Sequence, residues 1–261
     1  MAKLFFQTDW GAGGHELATS WRVIAVEVAL VALVLVYAAL IVRALVRRRW
    51  YRAQGVLTEA DLQALHAELA AVERRTVGEI VPVVLERSDA HPGACWLAAL
   101  SFVLLGSAAF VSLLTWDRPV LLIIAQLELG ALGYLTARAL PDFQRLFITE
   151  ARAKEMAEEQ AFQEFHRYGL HRTEGRTGVL LFVSLLERRA IVLADEGIDA
   201  RVGHEPWART NDAVLAGIRA GSLRAGLLAG IRSAGELLAQ HFPVQEGDRN
   251  EVPDRIVIRG E

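Results

Sequence analysis

The sequence predicts an α/β fold: a small sandwich of helices on a central sheet, split by a transmembrane helical hairpin and preceded by one N-terminal transmembrane helix. Three observations predict it. Of the 261 residues, 53% are hydrophobic, and the excess over an ordinary soluble chain is gathered into long runs. Two of those runs, in helices 94–116 and 119–138, meet at the short "TWDRP", which forces a hairpin. A strand-like run, "GEIVPVVL" (78–85), precedes that hairpin, while its prospective partners all follow it. A lone strand cannot satisfy its own backbone donors and acceptors, so the chain must close a sheet across the hairpin.

The first span lies in helix 22–46, where residues 23–42 are about the 20 that a spanning helix needs, with Glu27 the one charge. Its basic cluster follows the apolar run instead of preceding it, which is not the order of a cleaved signal peptide. Arg43, Arg47, Arg48, Arg49 and Arg52 follow this span, whereas only Lys3 and Arg22 precede it. The positive-inside rule therefore puts residues 1–21 outside and everything from Arg43 onward in the cytoplasm. Arg138 and Arg145, after the third span, agree. The expected setting is a multi-pass protein of the plasma (inner) membrane with its soluble domain cytoplasmic. Its partners are then the bilayer and other membrane proteins. A net charge of -3 offers nothing for nucleic acid. The single cysteine, Cys95, allows no internal disulfide and reads as a small apolar filler at a membrane edge.

The hairpin returns the chain to the side it left, so residues 53–90 and 142–255 fold as one domain. "LTEADLQALHAELAAVERR" (57–75) reads as an amphipathic helix, with Leu62, Leu65, Leu69 and Val72 at helical spacing and a capping box of Thr58 with Asp61. The first strand, 79–85, contains Pro82, which marks an edge or a bulge. Residues 142–168 read as one long helix with Phe143, Phe147, Phe162 and Phe165 inward. "TGVLLFVSL" (177–185) has the continuous apolar character of a strand covered on both faces. "LERR" is a polar turn, "AIVLAD" a returning strand, 206–220 and 223–241 two more helices, and "VPDRIVIRG" holds a short edge strand.

These residues resemble the TPM domain, a family found in bacterial envelope proteins and in thylakoid proteins linked to photosystem repair. The resemblance is carried by "E-x-x-T-x-GEI" at 73–80, "RTGVLLFVSLLERR" at 176–189, "VLADEGID" at 192–199, Trp207 and the closing "HFP" with "NEVPD". It spans about residues 56–255 and looks like the bacterial branch with a membrane hairpin inserted in the domain. It implies an α/β/α sandwich, divalent metal binding in some members, acid phosphatase activity in a plant relative, and roles in assembling or maintaining membrane complexes. The chain departs from the soluble members at Pro82 and at "GSLRAGLLAGI", which stands where those members carry acidic residues.

Asp195 and Glu196 follow a strand, where open α/β sheets place ligands. With Glu79 they form the expected oxygen donors for Ca²⁺ or Mg²⁺. The competing reading of Asp195 is a turn residue that accepts backbone hydrogen bonds near Gly197. Arg176 and Thr177, in "HRTEGRTG", are the expected anion contacts, although the loop lacks the spacing of any phosphate-binding glycine loop. Ser184 falls inside an apolar strand with no assignable base, and no catalytic residue emerges. His66, His166, His171, His204 and His241 lack metal-ligand spacing, and His241 closes the last helix. Glu27 and Glu128 are the intramembrane carboxyls, about 6 and 12 Å from the outer ends of their spans at 1.5 Å per residue. The competing reading there is helix packing glued by Gln126, Gly130 and Gly133. Few carboxylates stand at strand ends, so the expected function is non-enzymatic: a TPM-like assembly, maintenance or quality-control factor for membrane complexes. The alternative is a membrane-bound divalent-metal-dependent acid phosphatase.

Overall fold

A computed structural model describes residues 28, 32, 35–46, 56–113, 119–203, 205–244 and 255–260. Glu27, the arginine run 47–52, the turn 114–118, His204 and residues 245–254 lie outside the described residues. The elements in chain order begin with α1 (Leu35–Val46), α2 (Glu59–Glu73), β1 (Glu79–Leu85), α3 (Pro92–Leu113) and α4 (Pro119–Ala139). Then come α5 (Pro141–Gln144), a 3-10 turn (Arg145–Phe147), α6 (Glu150–Arg167), β2 (Gly178–Ser184) and β3 (Arg189–Ala194). The last are α7 (Glu196–Val202), α8 (Glu205–Arg219), α9 (Leu223–His241) and β4 (Val257–Arg259). They divide into two units. One joins the described residues up to Val46 with Pro92–Phe147, and the other joins those of 47–91 with Ile148 onward.

In the helical unit, α3 and α4 form the expected hairpin. Small residues let the two backbones approach: a Cβ on Gly106 would stand 2.4 Å from Leu129 Cδ1, and one on Gly133 would stand 2.8 Å from the Ala98 carbonyl. Gln126 Nε2 donates to Ser107 Oγ at 3.0 Å, so this polar pair is satisfied between the two helices. Cys95, Ala98, Ala137, Leu140 and Phe143 bury together with Ala44 of α1. Outward, Leu97, Leu100, Leu104, Leu121, Leu127, Leu132 and Leu135 are exposed. Both helices are long and apolar enough to cross a membrane.

The other unit is the sandwich. Its sheet runs β3-β2-β1-β4, with β1 parallel to β2 and β4, and β2 antiparallel to β3. The strand that precedes the hairpin is therefore stitched along its full length, from Glu79↔Gly178 to Leu85↔Ser184, to a strand that follows it. One face of the sheet buries Leu65, Leu69 and Val72 of α2 with Leu227, Ile231 and Leu238 of α9. The other face buries Ala157, Ala161 and Phe165 of α6. With burial on both faces, β1 and β2 read as uninterrupted apolar runs.

Pro82 is accommodated by register. Glu79 N–H donates to Thr177 O and Leu185 N–H donates to Leu85 O, so odd-numbered residues of β1 face β2. Even-numbered residues face the opposite side, where Glu86 N–H donates to Arg259 O. Pro82 is on that side, and β4 pairs only from Val83 onward. Its missing N–H thus falls where β1 is still an edge.

Two expectations are corrected. The long helix over 142–168 is interrupted: α5 and the 3-10 turn end at Phe147, and α6 starts afresh with Thr149 Oγ1 accepting from Arg152 N–H at 3.2 Å. The buried stripe of α6 is Ala153, Ala157, Ala161 and Phe165, so Phe162 lies off it and is 61% exposed. The segment after Asp195 is also not a simple turn but the seven-residue helix α7.

Candidate functional site

Parallel pairing of β1 with β2 and antiparallel pairing with β3 puts Glu79, Thr177 and Asp195 on one rim of the sheet. Glu79 starts β1, Asp195 follows the end of β3, and Asp195 N–H donates to Gly178 O at 3.0 Å. β2 stands between them, so the two backbones are about 10 Å apart at the usual strand spacing. Both side chains are buried, whereas that of Glu196 is 87% exposed. Arg176 Nη1 lies 3.4 Å from Glu196 Oε2 and 3.9 Å from Asp195 Oδ1. Asp195 Oδ1 also accepts from Glu196 N–H at 2.8 Å, as the cap of α7, while Asp195 Oδ2 is buried without a hydrogen-bond partner.

The three expected metal donors consequently do not converge. Among the described residues, no group of three or more His, Cys, Asp or Glu side chains could hold a metal ion. A guanidinium beside Asp195 opposes a cation further. The donor set does not fit Ca²⁺ or Mg²⁺ as it stands. Thr177 is likewise engaged: its N–H donates to Thr173 Oγ1 at 2.9 Å and its hydroxyl to Val77 O at 3.3 Å. Gly197 lets this rim close, since a Cβ there would meet the Gly175 and Arg176 carbonyls at 2.6 Å. Asp195 acts as the turn-side cap, and Arg176 as an ion-pair residue.

The opposite rim, at the carboxyl ends of β1 and β2, holds a buried polar cluster that the sequence reading missed. Glu187, read there as part of a polar turn, is 1% exposed. Its Oε1 lies 2.6 Å from His91 Nε2, and both its oxygens accept from Ser88 N–H at 3.1 Å. Ser184 Oγ also donates to Glu187 Oε2. His91 N–H donates to Asp89 Oδ2 at 3.1 Å, and His91 has a positive φ of 47°. Burial pushes the Glu187 carboxyl up, but the hydrogen bonds from His91, Ser184 and Ser88 outweigh it and hold the group below its ordinary value. The histidine contacts the carboxylate rather than the serine, and Ser184 is fully buried, so this is no activated nucleophile. It is a latch between the segment after β1 and the turn after β2. Sequence could have exposed it through two parallel strands whose ends must lie side by side, each followed by ionisable residues.

Other expected residues are dispersed. His166 and His171 come together, with stacked rings 4.6 Å apart, because Gly169 turns the chain at a φ of 71°. Cys95 is buried and forms no disulfide. Glu128 is exposed on α4, while Gln126, Gly130 and Gly133 pack the hairpin. Glu27 lies outside the described residues.

Residues 139–237 match the family model of the TPM domain, a stretch that runs from the end of α4 through β2, β3 and most of α9. This stretch is similar to the TPM domain. The strand β1 lies outside the match and joins the matched stretch through its pairing with β2. A solved structure, the NMR structure of BA42 protein from the psychrophilic bacterium Bizionia argentinensis, is similar at 19% identity and a TM-score of 0.48, covering 77% of this chain and 94% of its own. No curated protein matches the sequence at a significant level.

Proposed function

We propose that the protein is a membrane-anchored TPM-like domain that acts as an assembly, maintenance or quality-control factor for membrane protein complexes. In this reading it is a multi-pass protein of the plasma (inner) membrane, with the sandwich in the cytoplasm on the side of the arginine run. Glu128 carries the reading. It is exposed on α4 amid exposed Ile124, Leu127 and Leu132, so its carboxyl is not absorbed by the hairpin packing. A carboxyl facing hydrocarbon is costly, and such groups pair with polar groups of neighbouring spans. A span of another membrane protein supplies that pairing.

The test is a photo-crosslinking amino acid placed at Leu127 or Leu132 in cells. A discrete adduct with a membrane protein, lost when Glu128→Leu is added, is the expected result. Adducts with lipid alone, unchanged by Glu128→Leu, would refute the reading.

One observation supports a second reading, a membrane-bound divalent-metal-dependent acid phosphatase. Asp195 Oδ2 is a buried oxygen without a partner, and such an atom is costly unless a ligand reaches it. That reading requires Glu79 and Glu196 to rearrange toward Asp195, which a metal titration detects.

A further inference from the structure

The two edges of the sheet are treated differently. On the β4 side, Pro82 removes an N–H where β1 is unpaired, and β4 pairs with Val83–Leu85. On the other side β3 is the last strand, and its six residues include no proline, glycine or bulge. An edge left unblunted in this way is a template for pairing with another strand.

Register decides which groups lie on that edge. Asp195 N–H donates to Gly178 O, so the odd-numbered residues of β3 direct their N–H and C=O groups to β2. Ala190, Val192 and Ala194 direct theirs outward. Among the described residues, nothing in the chain bonds to those outward groups. Helices cover the two faces of β3, with Ile191 and Leu193 toward α6 and Ala190, Val192 and Ala194 toward α8. Residues 191–194 nevertheless all stay partly exposed, whereas β2 is buried throughout.

The stretch along this edge is complementary to itself. "RRAIVLADE" (188–196) runs from two bases through an apolar middle to two acids. An antiparallel copy centred on Val192 sets Val192 against its own counterpart, Ala190 against Ala194 and Ile191 against Leu193. The Arg188 and Arg189 end then faces the copy's Asp195 and Glu196 end. Arg188 is exposed and the Glu196 side chain is 87% exposed, so this pair can meet at the surface. Arg189 and Asp195 keep their contacts with Glu150 and the start of α7, and contribute the sign of the local field. The smallest shift that keeps the outward groups facing each other is two residues. Either way it leaves one of the three outward residues without a strand partner, and it takes both arginines off the acids.

We propose that β3 pairs antiparallel with β3 of a second copy of this chain, joining two four-stranded sheets across a two-fold axis at Val192. A two-fold contact requires a surface that complements itself, and this edge does so in shape and in charge. Two main-chain bonds form at each pair of outward residues. Those bonds supply the affinity, and the opposed charges select the register. The contact does not involve Glu128 and stands apart from the reading above.

The experiment uses the full chain with Cys95→Ala, which removes its one thiol. In membranes, Val192→Cys should form a disulfide-linked dimer on mild oxidation, because facing Cα atoms of a hydrogen-bonded pair are about 5.5 Å apart, within disulfide range. Ala194→Cys should not, since its counterpart lies about 14 Å further along the strand. Light scattering in detergent should give the mass of two chains. Val192→Pro, which removes an outward N–H, should raise the dissociation constant by about tenfold or more. Glu196→Arg should weaken the dimer in the same direction, and an unchanged melting temperature of that variant at low concentration separates lost pairing from lost folding. The mass of one chain at every concentration would overturn the pairing and leave the edge to a strand of a different protein. A two-chain mass without the Val192→Cys disulfide, or one that both Val192→Pro and Glu196→Arg leave intact, would place the contact elsewhere and overturn it equally.

Discussion

His91 Nε2 lies 2.6 Å from Glu187 Oε1, although 96 residues, including the whole apolar hairpin, separate them in the chain. Both are buried, and with Ser88 and Ser184 they tie the carboxyl end of β1 to the turn that follows β2. Backbone bonds continue the seam, since Leu186 N–H donates to Glu86 O at 3.0 Å. The insertion point of the hairpin is thus closed by a charged latch as well as by the sheet.

The latch predicts a pH dependence. The folded Glu187 carboxyl is held below its ordinary value of 4.5, because the bonds from His91, Ser184 and Ser88 prevail over burial. A group depressed on folding contributes stability that is complete above the unfolded value and is lost as pH falls through the folded value. The melting temperature of the full chain should therefore fall on acidification below about 4.5, and Glu187→Gln should flatten that part of the curve. An unchanged acid limb in Glu187→Gln would show that the latch does not titrate as described. Glu187→Leu, which removes the buried carboxylate that His91 contacts, should cost about 3 kcal/mol at neutral pH.

Removing residues 1–52 and replacing residues 93–141 by a short Gly/Ser linker should leave a folded, water-soluble sandwich. The argument is that β1 pairs with β2 over seven residues and that both faces of the sheet are covered by helices outside the hairpin. Dispersed amide resonances and a cooperative melt are the expected result. A collapsed spectrum in that variant would mean that the hairpin is part of the fold of the sandwich.

Much of this was legible because it depends on local pattern. The Thr58 and Asp61 capping box forms as the spacing implies, and the turn between β2 and β3 follows from two apolar runs around "LERR". The "GSLRAGLLAGI" stretch could be read only as an absence of acids, but its glycines have a packing role that spacing alone does not show. The latch was not legible for a different reason. Glu187 looks like a solvated turn residue unless β1 is known to run parallel to β2, and no local period encodes the sense of a pairing across 96 residues. Likewise Glu79 and Asp195 share a rim, but the width of β2 between them keeps their carboxylates from converging.

Gly217 supplies a direct test of that packing. A Cβ on it would stand 2.3 Å from Gly226 N and 2.5 Å from Gly226 Cα, where α8 crosses α9 backbone to backbone. Backbone cannot be displaced as the end of a flexible side chain can. Gly217→Val should therefore destabilise the protein by about 3 kcal/mol, at the upper end of ordinary overpacking. Denaturant unfolding of the full chain measures it. A loss below about 1 kcal/mol would show that the helices separate easily at this crossing.

The last prediction separates the two functional readings. Asp195 already accepts from Glu196 N–H as the cap of α7, and Arg176 lies beside it. Among the described residues, its buried Oδ2 is the one feature that favours a bound cation. A divalent ion that binds the folded state alone raises the melting temperature by mass action, by an amount that grows with the logarithm of its concentration. On the assembly-factor reading, millimolar Ca²⁺ or Mg²⁺ should leave the melting temperature of the full chain unchanged. Asp195→Asn keeps an oxygen that can cap α7, so it should change stability by less than about 1 kcal/mol, equally with and without the ion. A cation-dependent rise that Asp195→Asn abolishes would instead favour the phosphatase reading. Glu79→Gln and Glu196→Gln would then show which carboxylates rearrange: a ligand loses the rise, and a bystander keeps it.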